Sequence, residues 1–534
     1  MPGKIKDNKS ISDSYDNYPY ESYPFPHARP DYIRSIGMVF GMQPPAIETA
    51  RILELGCAAG GNIINLAESY PKSYTLGIDL SKVEIEHGQK VIKELGLKNI
   101  ELKHQSITEL DESMEKFDYI ICHGVFSWVP DFVRDKILDL SKKLLSQDGI
   151  AYISYNTLPG WNMNNTIRDM MLFHSEIFED VDNKVNQAKL FLNFINESLE
   201  GTNTPYANFL KEETEGLRHR DNSYLKHEYL AEENTQFYFR DFAKLAADKG
   251  LSYVGEANLP LMYLGNLPEK VSEKLAAIGD IIRTEQYMDF IQNRRFRCTL
   301  LTHNNAKLNR NISGEIINKF YLSCSVVPEK PKKEADIANP LESIKFFLRG
   351  SDENNINTSS PVMKAVLYAF IENEGNPLTA DELLKAAQKK LPSATLENFM
   401  QEFSTINGRL LFTGYMKIFA SKPQATAKIS SKPKVSGLVR YQVQNLAPNK
   451  AWVTTQINSV FGLQPHEKYV LEKLDGKHTQ DQLIDFVFEN FENGNLTASS
   501  GENKVEDKAA LKELAKQCVI QGLERFRTNY LLIG

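Results

Sequence analysis

The chain has 534 residues, of which 42% are hydrophobic and 25% are charged, as is usual for a folded globular protein. Its length predicts between three and four domains of roughly 150 residues, with cores large enough to need no disulfide or metal. The 62 Lys and Arg residues and 69 Asp and Glu residues give a formal net charge of −7. This acidic balance argues against a dedicated nucleic-acid binder, which would usually carry a basic field.

The five cysteines are scattered along the chain and form no close pair of the kind that binds zinc, which favours a reducing compartment. No apolar run approaches the roughly 18 residues that a bilayer-spanning helix needs. The N-terminus carries Lys4, Asp7 and Lys9 without the apolar core of a secretory signal. We therefore expect a cytoplasmic protein that holds no metal and is not inserted in a membrane.

The first 30 residues alternate aromatic side chains with prolines, at a density that excludes a helix and favours an extended path. A solvated tail would not normally carry so many aromatic residues. Residues 1–46 are therefore predicted to form an arm followed by a first helix. The arm either packs on the surface of the next domain or closes over a site as a lid.

Strand and helix signals alternate from Ala50 onward. The predicted strands are residues 52–55, 74–78, 100–104, 117–122 and 150–155. Ser81 and Glu84 form a capping box at the start of a helix that Gly96 ends, and another helix covers about residues 132–145. Repeated β-α-β order predicts a parallel, doubly wound α/β sheet of the Rossmann-like kind.

The pattern becomes helical after Trp161, and the sheet then resumes in an interrupted way. A short strand at 237–239, a helix from 241 to 250 and further strands at 251–254 and 299–302 are predicted. Residues 47–305 therefore form one α/β domain that carries a helical insertion at about 160–236.

The second half is divided by polar stretches at 328–336, 350–360 and 421–436, which are predicted to be linkers. Between the last two, two helices precede strand-like runs at 409–412 and 416–418, an order that resembles a winged helix. The prediction is a middle, winged-helix-like domain at 306–420 and a mostly helical C-terminal domain at 437–534.

A glycine-rich turn follows the first strand and runs from Glu54 through Gly56, Cys57 and Gly60 to Asn62. Glycines let the backbone approach a ligand closely, and the helix N-terminus that follows is electropositive. The turn departs from the G-x-G-x-x-G pattern of dinucleotide sites. It is either the binding loop of another nucleotide-like cofactor or a tight turn without a ligand.

Asp79 ends the second strand, about twenty residues after this loop. An acidic side chain at that position can accept hydrogen bonds from both ribose hydroxyls of an adenosine. Asp79 can also be an ordinary turn residue. The loop and the carboxylate together are stronger evidence for an adenosine-containing cofactor than either feature alone.

Three stretches, residues 52–57, 77–81 and 117–123, resemble the motifs of class I S-adenosylmethionine-dependent methyltransferases. The segments 18–26, 123–130 and 155–161 are similar to those of methyltransferases that carry a regulatory domain, and about 227–260 resembles that regulatory region. The whole chain is similar to the rickettsial protein-lysine methyltransferases that modify outer membrane protein B.

The resemblance implies S-adenosylmethionine as cofactor and S-adenosylhomocysteine as product. It places a common set of residues around the cofactor: Gly56, Cys57 and Gly60 at the methionine part, Asp79 at the ribose, Leu80 at the adenine, and Cys122 and His123 near the methionine amino group. Glu54 and Asn62 are further expected cofactor-binding residues. Family members often bind the adenine amino group with an Asp, for which this chain has Gln105, Ser106 and Ile107. His123 can instead simply fill the sheet edge.

A lysine acceptor must lose its proton before it is methylated. With an ordinary pKa of about 10.4, the neutral amine is roughly a thousandfold scarce at pH 7. Desolvation in an aromatic channel beside a positive sulfonium lowers that pKa without a dedicated base. The candidate channel residues are Tyr18, Tyr23, Phe126, Trp128, Tyr155 and Trp161, with Asn156 to orient the amine. Trp128 and Trp161 are equally plausible as core residues.

Three functions remain open from the sequence. The first is a protein-lysine methyltransferase that acts on a bacterial outer membrane protein, with no nucleic-acid partner and a homodimer as one possible state. The second is a small-molecule methyltransferase with an appended regulatory half, because the α/β domain does not by itself choose the acceptor. The third is a cofactor-binding protein without catalysis.

Overall fold

The computed structural model describes residues 22–533 except for 333–334, 352, 393–395, 427, 448–449, 501–502 and 505–506. Most of the aromatic arm, including Tyr18, therefore lies outside the described residues. None of the helices in these ranges is long and apolar enough to cross a bilayer.

A seven-stranded sheet forms the centre of the first domain, with the order β3-β2-β1-β4-β5-β7-β6. Its strands are β1 (Arg51–Leu55), β2 (Tyr74–Asp79), β3 (Ile100–His104), β4 (Phe117–Cys122), β5 (Leu145–Asn156), β6 (Leu251–Glu256) and β7 (Phe296–His303). The first five strands all run parallel to one another, which confirms the predicted Rossmann-like α/β class.

The strand β7 corrects the prediction of an all-parallel sheet, because it runs antiparallel to both β5 and β6. The chain leaves β6 at Glu256 and begins β7 at the same end of the sheet, where Glu256 pairs with Thr299. The strand therefore fills the gap between two parallel strands in the opposite direction. A hydrophobic pattern reports burial but not strand direction, so the sequence did not reveal this.

Eleven described helices surround the sheet or form the insertion. They are α1 (Pro30–Val39), α2 (Ile64–Ser69), α3 (Lys82–Leu95), α4 (Asp131–Leu144), α5 (Gly160–Ser175), α6 (Val181–Ser198), α7 (Pro205–Arg218), α8 (Asn222–Tyr229), α9 (Phe239–Asp248), α10 (Glu269–Ala276) and α11 (Ile281–Gln292). Ser81 caps α3 by accepting a hydrogen bond from the Glu84 amide at 3.3 Å, and Gly96 ends that helix with a φ of +67°.

The predicted strand at 237–239 is wrong. Phe237 forms only an isolated bridge with Thr157, and α9 already begins at Phe239. Phe239 and Phe242 are both fully buried, which fits the three-residue spacing of one helix face better than the alternation of a strand.

The helical insertion is confirmed and consists of α5 to α8. These four helices enclose a small core of their own, which includes Ile167, Met171, Leu192 and Leu210. The insertion also leaves large apolar side chains exposed, among them Phe173 and Ile177 at 74% and 77% exposure.

The middle of the chain contains two small antiparallel sheets, β11-β10-β9 and β12-β8-β13, and three helices. The strands are β8 (Tyr321–Cys324), β9 (Val326–Pro328), β10 (Ile344–Leu348), β11 (Asn355–Thr358), β12 (Leu378–Thr379) and β13 (Met416–Phe419). The helices are α12 (Pro361–Glu372), α13 (Ala380–Gln388) and α14 (Leu396–Phe412).

Two predictions for this region are corrected. The stretch 409–412 is the last turn of α14, because Leu410 and Leu411 continue the buried face that begins with Phe403 and Ile406. The stretch 350–360 is not simply a linker, since it contains β11, whose backbone pairs with β10. The polar sequence of this stretch did not predict a strand, because β11 is stabilised by pairing with β10 rather than by its own burial.

The C-terminal part is mostly helical, as expected. Its elements are α15 (Gly437–Gln444), α16 (Pro465–Glu472), α17 (Gln480–Glu492), α18 (Lys508–Thr528) and the short pairs β14 (Trp452–Thr454) with β15 (Val460–Gly462) and β16 (Ser499–Ser500) with β17 (Asn503–Lys504). Buried apolar side chains such as Val439, Val470, Leu483 and Phe526 give it a separate core.

The first domain and the middle region share one continuous core. It extends from Ile36 and Tyr119 beside the large sheet to Phe346 and Leu411 in the middle region. Burying this much apolar surface across a boundary favours a fixed arrangement of the two parts. The middle region is therefore packed on the first domain and is not held only by a polar linker.

Arg297, the second residue of β7, is fully buried in a cluster of charges. Its guanidinium contacts carboxylate oxygens of Asp289 and Glu285 at 2.8 Å and of Glu256 at 3.5 Å. A charge without contact with water is tolerated only when it is paired and hydrogen-bonded. The cluster thus fixes α11 against the antiparallel end of the sheet.

Candidate active site

The glycine-rich loop lies where the carboxyl ends of β1 and β2 meet. The Gly56 and Cys57 amides donate to the Ile78 carbonyl at 2.9 and 3.1 Å, which ties the loop to β2. Gly56 has a φ of +77°, and a Cβ there would come within 2.4 Å of Val125. Only glycine fits this position. The loop then enters α2 through a turn in which the Gly60 carbonyl accepts from the Ile64 amide at 2.9 Å.

Glu54, the last polar residue of β1, has a carboxyl group with one unused oxygen. Its side chain is 3% exposed, and Oε1 accepts a hydrogen bond from Asn62 Nδ2 at 2.9 Å. Its Oε2 has no partner among the described residues, and burial raises the pKa of the carboxyl group to about 8. A buried polar atom without a partner is unfavourable, so a cationic group of a ligand would complete this site.

Asp79 lies at the end of β2 between the loop and α3. Its Oδ2 accepts from the Ala58 amide and its Oδ1 from the Ser81 amide, both at 2.8 Å. Each carboxylate oxygen keeps a lone pair that could accept from a ribose hydroxyl. Burial raises the pKa of Asp79. Leu80 follows at the same sheet edge, and its carbonyl lies 3.1 Å from His104 Nε2.

The residues after β3 are already engaged with their own loop. Gln105 Nε2 donates to the Glu109 carbonyl at 3.0 Å, and Ser106 Oγ lies 2.8 Å from Thr108 Oγ1 and accepts from the Thr108 amide. Ile107 is half-buried against the core. Backbone groups, rather than these two side chains, are therefore better placed to bind an adenine amino group.

Cys122 and His123 end β4 and differ in their surroundings. Cys122 is fully buried in the core, where burial raises the pKa of its thiol. His123 Nδ1 lies 2.8 Å from Tyr152 Oη, and its ring centroid is 3.7 Å from that of Phe25. Burial lowers the pKa of His123 to about 3, so the imidazole is neutral at physiological pH.

The described end of the arm lies directly on the glycine-rich loop. Ser22 Oγ accepts from the Gly61 amide at 2.9 Å, and the Phe25 amide donates to Asn62 Oδ1 at 3.1 Å. A Cβ at Gly61 would come within 2.3 Å of the Ser22 carbonyl oxygen, so the approach depends on glycine. The described end of the arm therefore packs on the loop and on the end of β4.

The two tyrosines expected from the arm have different outcomes. Tyr18 lies outside the described residues. The Tyr23 ring stacks on Trp452 of the C-terminal part, with ring centroids 5.1 Å apart and planes at 22°. The part of the arm around Tyr23 thus lies between the first domain and the C-terminal part.

Tyr155 and Phe126 both lie in the interior of the first domain, and their roles in an acceptor channel stay predictions. Tyr155 is fully buried, stacks on Phe242 with centroids 4.0 Å apart, and places its hydroxyl 3.0 Å from Thr299 Oγ1. Phe126 packs into the same cluster at 0% exposure. Alternation along β5 turns Tyr155 toward the helices rather than toward a cleft.

The two tryptophans and Asn156 meet near the start of the insertion. Trp128 and Trp161 form an edge-to-face pair with centroids 6.2 Å apart, and Trp161 is buried against Tyr229. Asn156 Nδ2 donates to Asn234 Oδ1 at 3.0 Å. Trp161 is therefore a packing residue between sheet and insertion, whereas Trp128 stays half-buried.

The sequence interpretation missed several residues around this site. Tyr152 could have been found, because β4–β5 pairing places it opposite Ile121 and thus near His123. Asn458, which donates to the backbone and side chain of Asn62, had no local signal because 396 residues separate the two.

A cavity of about 310 Å³ lies between the arm, the loop after β6, the middle region and the β14–β15 turn. Its walls include His27, Tyr32, Leu259, Met416 and Lys417. Burial lowers the pKa of both His27 and Lys417. The cavity therefore combines apolar walls with three basic side chains, His27, Arg29 and Lys417, and the carboxyl group of Asp31, at the junction of three parts of the chain.

Three family models match the chain. The model described as "Methyltransferase domain" matches residues 48–210, "Predicted methyltransferase regulatory domain" matches 221–303, and "PKMT, C-terminal winged helix domain" matches 431–531. The winged-helix match thus lies in the C-terminal part, whereas the sequence pattern had suggested such a unit at 306–420.

Relatives and solved structures match this chain over long stretches. The uncharacterized protein RP789 of Rickettsia prowazekii is 46% identical over 519 residues, which cover 97% of this chain and 93% of the relative. The uncharacterized protein RP028 of the same organism is 56% identical over 46% of this chain and 97% of its own length. The structure of PKMT2 from Rickettsia typhi in complex with AdoHcy has a TM-score of 0.91 and 46% identity, covering 97% of this chain and 100% of that one.

The buried unpartnered oxygen of Glu54, the loop whose position 56 admits only glycine and the carboxylate of Asp79 fit S-adenosylmethionine, whose ammonium and ribose need such acceptors. The full-length matches agree with this set of binding groups. The cofactor is S-adenosylmethionine and the product is S-adenosylhomocysteine. The chain belongs to the S-adenosylmethionine-dependent methyltransferases, in the family that includes the rickettsial PKMT proteins.

Proposed function

We propose that this enzyme is a protein-lysine N-methyltransferase that acts on a bacterial surface protein similar to outer membrane protein B, in the cytoplasm before export. The observation that carries the proposal is the match to PKMT2 from Rickettsia typhi, which extends over nearly the whole chain and includes the C-terminal part. Agreement beyond the α/β domain matters because that domain alone does not choose the acceptor.

We propose that cofactor binding uses the residues at the ends of β1, β2 and β4. Glu54 faces the methionine ammonium, the loop from Gly56 to Gly60 follows the methionine backbone, and Asp79 holds the ribose. The bound cofactor supplies a methyl group on a positive sulfonium, which is already activated for transfer. The task of the protein is then to position the acceptor in line, which can contribute about 7–11 kcal/mol.

The chemistry of the site suits an acceptor that arrives as a neutral amine. His123 is neutral and packed against Phe25 and Tyr152, so it adds no positive charge near the acceptor. An apolar, water-poor setting lowers the pKa of a lysine amine, because burial disfavours its charged form. Trp128 and the aromatic arm are the remaining candidates for lining the acceptor path.

We propose a division of labour along the chain. The arm and first helix (1–46) close the site, residues 47–305 carry the cofactor, and the parts at 306–420 and 437–534 guide an extended polypeptide. Residues from each of these parts line the cavity beside His27 and Lys417, which supports this cavity as the place where the acceptor chain enters.

We also propose that the enzyme is a homodimer that uses the helical insertion. Phe173, Ile177, Leu190 and Phe194 leave an apolar surface exposed there. Apolar patches of this kind usually mark a protein interface. Sedimentation of the wild type and of Phe173→Asp tests this: a dimer that the substitution dissociates supports it, and a wild-type monomer contradicts it.

The decisive experiment uses the full chain, labelled S-adenosylmethionine and a purified surface-protein fragment. We expect label on lysines of the fragment by mass spectrometry, with strongly reduced transfer by Asp79→Ala and none to a fragment whose lysines are replaced by arginine. The same assay on a pool of small metabolites tests the alternative hypothesis of a small-molecule acceptor. Label found only in a small molecule would replace the protein acceptor with a small-molecule one.

A further inference from the structure

The turn between β14 and β15, residues 455–459, belongs to the C-terminal part but is buried against the first domain. Thr455, Gln456 and Asn458 are all polar and are 2%, 3% and 0% exposed. Polar side chains at the tip of a hairpin normally face water. Their burial here means that the turn fills a matching polar surface on another part of the chain.

Asn458 makes the central contacts of this surface. Its Nδ2 donates to the Asn62 carbonyl at 2.7 Å and to Asn62 Oδ1 at 3.1 Å, and its Oδ1 accepts from Asn65 Nδ2 at 2.7 Å. Asn458 also has a φ of +52°, in the left-handed region that asparagine tolerates better than most residues. Both its backbone shape and its side chain are therefore suited to this one position.

Asn62 connects these contacts to the cofactor loop. Its Nδ2 donates to Glu54 Oε1 at 2.9 Å, and its Oδ1 accepts from the Phe25 amide at 3.1 Å. One asparagine thus joins the end of β1, the arm and the C-terminal hairpin. Because Glu54 carries the unpartnered oxygen, any shift of Asn62 changes the position of the group that faces the ligand.

A second set of contacts also joins the C-terminal part to the first domain. Gln456 accepts a hydrogen bond from Arg29 through its carbonyl and from Ser69 Oγ through Oε1, the latter at 3.2 Å. Glu68 accepts from the Leu438 amide at 3.0 Å and so caps α15. The hairpin thus contacts one face of α2, from Asn65 to Ser69, and this helix begins at the end of the loop.

We propose that Asn458 is a positioning residue for cofactor binding, so that the C-terminal part completes the cofactor site instead of serving only as an attached acceptor-docking unit. The hairpin holds Asn62, and Asn62 holds Glu54 and the arm. Because linkage is reciprocal, cofactor binding then stabilises the docked hairpin, and anything that displaces the hairpin weakens cofactor binding.

The test compares the affinity of three full-length proteins for S-adenosylhomocysteine by calorimetric titration. Asn458→Gly keeps the positive φ but removes the side-chain hydrogen bonds. Asn293→Gly is the matched control, because Asn293 also has a positive φ, of +49°, but is exposed at the end of α11. We expect 10- to 100-fold weaker binding for Asn458→Gly and no change for the control.

Two further measurements keep the proposal open to refutation. Asn458→Asp preserves size and the acceptor for Asn65 but loses the donor to Asn62, so it answers the question if the glycine variant does not fold. Hydrogen exchange on the wild type should show slower exchange of amides 452–462 when S-adenosylhomocysteine is bound. The proposal would be overturned by an unchanged affinity in a folded Asn458 variant. It would also be overturned if the exchange rates of the hairpin amides did not change when the ligand binds.

Discussion

Replacing Glu54 by Gln should remove a proton release that accompanies cofactor binding. In the free protein the pKa of Glu54 is about 8, because its carboxyl group is buried and one oxygen has no partner. At pH 7 the group is therefore about 90% protonated. A ligand ammonium beside Oε2 favours the carboxylate, so binding expels this proton.

The size of the effect follows from that pKa. Binding at pH 7 should release about 0.9 proton, and affinity should rise nearly tenfold per pH unit between about pH 6 and 7. The sign is fixed, because the ligand prefers the form that dominates at higher pH. His123 does not contribute in this range, since its pKa is about 3.

Calorimetric titration with S-adenosylhomocysteine in buffers of different ionisation enthalpy counts the protons directly. Glu54→Gln should lose most of the proton release and the pH dependence, and should bind about 10- to 100-fold more weakly at pH 8, the value of a charged hydrogen bond. Glu86→Gln, on the exposed face of α3, is the control and should match the wild type. A wild type that releases no proton, or a Glu54→Gln protein that releases as many, would refute the reasoning.

Three other substitutions test separate parts of the structure. Asp79→Ala should weaken S-adenosylhomocysteine binding by about 100-fold through the loss of charge-assisted hydrogen bonds, and unchanged calorimetric affinity in the folded protein would remove Asp79 from the site. Phe25→Ala deletes the ring whose centroid lies 3.7 Å from that of His123. Methyl transfer should slow, while the free energy of unfolding falls by only about 1 kcal/mol. Full turnover in this variant would mean that the arm only packs on the domain. Arg297→Met removes one of the two buried cations of the charge cluster at β7, since Arg294 still pairs with Glu285 and Asp289, and should lower the free energy of unfolding in urea by about 3 kcal/mol. A loss below about 1 kcal/mol would contradict the importance of the Arg297 ion pairs.

The truncation that sequence organisation suggests, a chain that ends near residue 305, would not separate acceptor docking from cofactor binding. It removes the β14–β15 hairpin together with the contacts of Asn458 to the loop. A loss of activity in such a protein would therefore have two causes. Point substitutions in the hairpin distinguish them, because they leave the remaining C-terminal surface in place.

The sequence by itself determined the features that depend on neighbouring residues. The strand that enters a glycine-rich turn, the acidic Asp79 about twenty residues later and the cap at Ser81 all follow from local backbone geometry and short-range hydrogen bonds. The same holds for the helical insertion, whose spacing shows one buried face. The family resemblance rests on these local motifs, and the full-length comparisons confirmed it.

Only the tertiary structure decided which side chains meet across long distances in the chain. In the folded protein Tyr155 lies in the core and β7 runs antiparallel to its neighbours. The turn at Asn458 contacts the loop at Asn62, although 396 residues separate the two. Hydrophobic patterning reports whether a residue is buried, but not which partner buries it or in which direction a strand runs. The physical reason is that such contacts form only when separate elements pack together, so no stretch of sequence encodes them alone.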